Sequence, residues 1–137
     1  MQTMQQQRAK FALVRVKAAA NAPKTNQKEY KSYASALPFM IHANGLGQAA
    51  AFYRSKKKEE AKADGKEDTH FLLYKLLSDW LTGENQPFQK HNDLLDGITQ
   101  EPMSVYLAAQ AEAMVFMDWV KKFANAFMAE SDKGHQS

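Results

Sequence analysis

Phe116, Trp119, Val120, Phe123 and Phe127 stand at i, i+3, i+4, i+7 and i+11, a spacing that only an α-helix gathers onto one face. Leu73, Leu76, Leu77, Trp80 and Leu81 repeat the pattern, and Ala9, Ala12, Leu13, Val16, Ala19 and Ala20 form a third stripe. No stretch alternates apolar and polar residues between turn signals, so nothing specifies a sheet. The chain is therefore expected to be all-α: a single-domain helical bundle of about six helices spanning residues 1–137. With 45% hydrophobic residues in 137, it has enough apolar side chain to bury a core.

Punctuation divides the bundle. NAPKTNQ, residues 21–27, reads as a loop after the first helix. A second helix is expected over about Lys28–Ala36, with Pro38 in the first turn of a third that carries Phe39, Met40 and Ile41 to Asn44. NGLGQAAAFYRSK follows, and its glycines raise the question of a phosphate loop. Such a loop needs GxxxxGK and then Ser or Thr, after a strand, and this stretch has neither. Asn44 and Gly45 instead suit a helix end, and Gly47 suits close packing, so NGLG reads as a corner. Another helix then runs from Leu46 through Ala49, Phe52 and Tyr53 into RSKKK.

KKKEEAKADGKED, residues 56–68, reads as a mobile charged loop, and Asp68 or Thr69 as the cap of the leucine-rich helix. Gly83 is expected to end that helix, in the position that helices favour for glycine. GENQPFQKHN reads as loop and DLLDGIT as a short helix. Pro102 then opens the longest helix, to about Met128, before a disordered tail at 129–137.

Chemistry is sparse. There is no cysteine, which excludes disulfides, thiolate metal sites and cysteine nucleophiles. His42, His70, His91 and His135 are scattered, outside any paired metal-ligand spacing. His91, Asp93 and Asp96 cluster in HNDLLD, where carboxylates suit the positive end of a helix better than they suggest a metal. No Ser-His-acid set lies close in sequence. Neither catalytic residues nor a metal or cofactor is expected. No apolar run is long enough for a bilayer, and MQTMQQQRAK lacks the hydrophobic segment of a signal peptide, so a cytoplasmic protein without a membrane partner is expected.

Charge is the informative signal. Residues 1–58 carry eleven Lys and Arg against one acid, Glu29, a surplus of +10; residues 59–137 carry seven against fourteen, a balance of −7. The first part suits a polyanion and the second a basic partner, unless some of the charges pair within the fold. Arg8, Arg15, Lys24, Lys28, Lys31, Arg54, Lys56 and Lys57 are the candidates for phosphate contacts, with Lys58 beside them. Tyr30 and Tyr33 lie among them in KEYKSY, where packing is favoured over stacking on bases.

QQQRAKFALVRV, KEYKSYASALPFMIHANGLGQAAAFYRSK, LLYKLLSDWL and YLAAQAEAMVFMDWVKKFA occur in that order. Together they resemble the small α-helical subunit of type III-B CRISPR effector complexes, the fifth subunit of the RAMP-module (Cmr) complex. The most specific blocks are Leu37, Pro38, Asn44 to Gln48, Phe52, Ser55 and Lys56, then Glu112, Ala113, Phe116, Trp119, Lys121, Phe123 and Ala124. The chain departs from the family at Gln110, where a threonine is more usual. The resemblance implies a non-catalytic subunit that stacks with copies of itself beside RAMP-fold backbone subunits, near a polymerase-like large subunit. It implies CRISPR RNA and target RNA as partners, met through the basic face. Arg8 and Lys56 match recurrent basic positions of the family. A helical adaptor that binds only proteins, and the small subunit of another CRISPR effector subtype, remain the alternatives.

Overall fold

The computed structural model describes residues 1–57 and 67–129. Of the expected charged loop at 56–68 and tail at 129–137, residues 58–66 and 130–137 lie outside that description. Five helices follow one another: α1 Met4–Asn21, α2 Gln27–Ser55, α3 Thr69–Leu81, α4 Leu94–Gln100 and α5 Met103–Phe127. The all-α expectation holds, with no strand among the described residues.

At the starts of α1 to α4, side chains accept from donors that the helix leaves unpaired, whereas α5 begins after Pro102 without a side-chain cap. Thr3 and Gln6 form a capping box on α1, at 3.1 Å and 2.9 Å. Asn26 accepts from the Glu29 amide on α2, and Asp68 from the Phe71 amide on α3, both at 3.0 Å. Asp93 accepts from the Leu95 amide at 3.1 Å, so the carboxylate in HNDLLD is a cap. It also accepts from the Tyr74 hydroxyl at 2.8 Å, while His91 pairs with Glu101 at 2.6 Å. Burial and the bond to Asp93 push the Tyr74 hydroxyl well above the usual tyrosine pKa.

The apolar stripes form one core. Ala12 and Val16 of α1, Leu73, Leu76, Leu77, Trp80 and Leu81 of α3, and Phe116 and Val120 of α5 are all buried. α5 packs mainly on α2 and α1, and α3 packs on α2. Gly97 lets α4 approach: a Cβ there would stand 2.4 Å from the ring of fully buried Phe88. Phe127 lies beyond the core, exposed, with Lys17 Nζ 5.2 Å from its ring centroid.

One boundary differs from expectation. Pro38 does not begin a helix; α2 continues through it. Proline removes one ladder donor, yet Leu37 and Ile41 on either side are both buried, and that burial outweighs the loss. Gly83 does stand just past the end of α3, which runs to Leu81 with Thr82 as its cap, but it is not left-handed; the residue with positive φ in this loop is Asn85, at 65°. Glycine at 83 meets a space limit instead, since a Cβ would lie 3.2 Å from the Asp79 and Trp80 carbonyl oxygens.

The NGLG corner is real. Gly45 has φ 88° and ψ 158°, a region essentially restricted to glycine, and it breaks α2 into two arms, 27–44 and 46–55. The second arm starts with unpaired amides, and α5 supplies the acceptors. Gln110 Oε1 accepts from the Leu46 amide at 2.8 Å, and the Tyr106 hydroxyl from the Gly47 amide at 2.9 Å. Gln110 thus caps the corner. Counting the arms separately gives six helical rods.

Candidate nucleic-acid interface

The corner at Gly45 has a consequence for charge. It folds the second arm of α2 back along the first, so that the Tyr53 hydroxyl donates to the Tyr33 carbonyl at 2.8 Å. The start of α3 closes on the same end: the Thr69 hydroxyl donates to Glu29 at 3.0 Å, and the Glu67 amide to the Lys24 carbonyl at 2.8 Å. Residues 24–33, 52–57 and 67–71 therefore meet at one pole of the molecule.

Six of the eight candidate cations sit on these segments. Lys24, Lys28, Arg54, Lys56 and Lys57 are exposed and Lys31 is half-buried. Among the described residues, no carboxylate comes within ion-pair distance of Arg54, Lys56 or Lys57. Such a cluster keeps a field that an internal partner would otherwise reduce.

The two arginines of α1 are engaged differently. Arg8 grips Glu112 of α5 through Nε at 2.5 Å and Nη2 at 2.9 Å, and Trp80 Nε1 donates to the same carboxylate at 2.9 Å. The Arg8 and Glu112 side chains are only 15% and 13% exposed. Hydrogen bonding to Glu112 raises the Arg8 pKa further, against the opposing effect of burial. Arg15 pairs with Asp79 at 2.9 Å, and its guanidinium lies 5.5 Å from the Phe11 centroid. Internal pairing between the basic and acidic parts of the chain thus engages Arg8 and Arg15 and, among the described residues, leaves Arg54, Lys56 and Lys57 aside. Arg8, a leading basic position by resemblance, faces inward here.

Aromatic rings underlie the pole. Tyr33 stacks on His70 at 4.1 Å, and Phe52 and Tyr53 meet His70 edge-on at 5.9 Å and 4.8 Å. Lys56 Nζ lies 4.6 Å from the Phe52 centroid, Lys57 Nζ 4.0 Å from that of Phe71, and the Arg54 guanidinium 5.5 Å from the same ring. Tyr30 and Tyr53 are buried, as packing residues should be, and burial pushes both hydroxyls up to about 12. Sequence reasoning names Phe52 and His70 without giving them a place in the site, and passes over Phe71. The Phe52–Lys56 spacing of four is a signal it could use, whereas Phe71 reaches its cations only across the gap between helices.

Comparisons with known proteins agree on one family. The model of the CRISPR-associated protein family Cas_Cmr5 matches residues 4–127. The CRISPR system Cmr subunit Cmr5 of Thermus thermophilus is 29% identical over 130 residues, covering 95% of this chain and 100% of its own. The X-ray crystal structure of a CRISPR-associated Cmr5 family protein from the same organism is similar with a TM-score of 0.72 at 26% identity. That match covers 94% of this chain and 100% of the other.

Proposed function

This chain belongs to the Cmr5 family, the small subunits of type III-B CRISPR effector complexes, and from that premise we propose that it is a non-catalytic subunit holding guide–target RNA by its backbone. The observation that carries this reading is the pole itself. Cations from residues 24–57, distant in sequence, converge beside one another, and Arg54, Lys56 and Lys57 have no carboxylate partner among the described residues. Lys24, Lys28, Lys31, Arg54, Lys56 and Lys57 would follow the phosphates, whereas Arg8 and Arg15 would serve the fold.

Phosphate contacts position a strand without reading it, and in RNA-guided complexes base pairing supplies the sequence specificity. Such a subunit needs no catalytic constellation. Copies stacked beside the RAMP-fold backbone, up to the polymerase-like large subunit, would extend the cationic track along the RNA in the cytoplasm, as part of antiviral defence. Acidic surfaces of the second half of the chain suit contacts with neighbouring subunits.

The test uses the assembled complex, with Lys28, Arg54 and Lys56 all changed to Glu together. Target RNA affinity should fall at least about tenfold at physiological salt, with a shallower salt dependence. Unchanged affinity would overturn the reading. The protein-only adaptor draws on one observation: Met103, Leu107 and Val115 are exposed on α5 at i, i+4 and i+12, an apolar ridge suited to a subunit contact. It predicts normal assembly and no change in RNA affinity in the same experiment.

A further inference from the structure

Phosphate binding explains the cations of the pole but not the rings beneath them. A cation held over a ring by the ring's quadrupole must leave it to meet a phosphate, and its departure bares an aromatic face. Phe52 is the ring where this matters most. Its neighbours Ala49, Ala50 and Tyr53 are buried, yet Phe52 itself is 41% exposed. Its ring meets Tyr53 and His70 edge-on, and among the described residues it stacks face to face with none. The surroundings are held firmly, by the Tyr33–His70 stack at 4.1 Å and the Tyr53–Tyr33 hydrogen bond at 2.8 Å. An exposed apolar ring on a stiff floor, under a lysine that has no carboxylate partner among the described residues, matches the needs of one chemical species: an unpaired nucleotide, with an apolar π-face joined to an anion.

We propose that Phe52 and Lys56 form a single-nucleotide site for RNA, in which an unpaired base stacks on the Phe52 ring and Lys56 moves from that ring to the adjoining phosphate. The spacing of four residues sets ring and ammonium side by side on the second arm of α2. Arg54 and Lys57, over Phe71, reach the flanking phosphates. A purely acidic protein segment would satisfy the cations and leave the ring without a partner, so RNA is the better fit. The proposal rests on the RNA reading of the pole and adds a dependence on bases that backbone contacts alone do not produce.

The full chain is titrated, by fluorescence anisotropy, with a short oligoadenylate and with the same ribose-phosphate strand lacking its bases. The wild-type chain should bind the base-bearing strand about tenfold more tightly. Phe52→Leu should erase that gap and keep the salt slope, whereas Phe52→Trp should preserve the gap. Lys56→Gln should weaken binding to both strands and reduce the salt slope by roughly 0.7. A salt-dependent affinity equal for both strands in the wild-type chain, or a gap that survives in Phe52→Leu, would overturn stacking and leave the backbone reading standing. Failure to bind either strand at low salt would overturn both. The wild-type comparison decides the matter even if Phe52→Leu does not fold.

Discussion

Glu112 is a carboxylate with three donors, Arg8 Nε, Arg8 Nη2 and Trp80 Nε1, all within 2.9 Å. Both charged partners are mostly shielded, so removing one strands the other in a poorly hydrated place. Glu112→Ala should destabilise the chain by about 3 kcal/mol, read as a shift of the urea midpoint with an unchanged m-value. A loss below about 0.5 kcal/mol would instead mark an ordinary exposed ion pair. This pair also shows where a sequence stops being legible. Arg8 stands in the first block of the family resemblance and Glu112 in the last, but nothing in either block says that they meet across 104 residues. A partly buried arginine and a solvated one are written with the same letter. Lys56 and Arg8 look equivalent in sequence, and only the bundle separates them.

At the scale of helices, periodicity carries most of the fold. Leu73, Leu76, Leu77, Trp80 and Leu81 are all buried because each falls within the arc that one helical face presents to its neighbours. Punctuation is less reliable. Pro38 and Gly83 both signal a boundary by local chemistry, and at Pro38 the burial of Leu37 and Ile41 overrides it. Gly45 is the opposite case, a local signal with a global result, since the pole exists only if the two arms of α2 fold together. With φ at 88° and ψ at 158°, any side chain at Gly45 is strained even though the space beside it is adequate. Gly45→Ala should therefore cost about 1–3 kcal/mol. It should also loosen the contact between the arms, seen in NMR spectra as altered ring shifts of Tyr33 and His70. A fully stable Gly45→Ala chain with those shifts unchanged would show that the corner is set by Gln110 and Tyr106 rather than by the glycine.

For the whole molecule, the same surplus of positive charge divides between two places, and the consequence can be measured. Arg8 and Arg15 join α1 to the acidic half of the chain, so their charge is used inside the fold. Arg54, Lys56 and Lys57 close the second arm of α2, where cations also face the negative end of the helix. Reversing them to Glu would mix an RNA effect with a dipole effect, so neutralising them to Gln gives the cleaner comparison. Arg54→Gln, Lys56→Gln and Lys57→Gln together should leave stability within about 1 kcal/mol, because all three are exposed. The slope of log affinity for single-stranded RNA against log salt should fall by about 2, one phosphate contact for each cation removed. Arg8→Gln should do the reverse: it uncouples Glu112, lowers the melting temperature and leaves the slope as it was. If both variants changed the slope equally, the cationic field would act as a whole and the pole would have no special standing. If neither did, RNA would meet another face. Only opposite outcomes fit a chain whose corner gathers one set of cations for a polyanion while the bundle consumes the other.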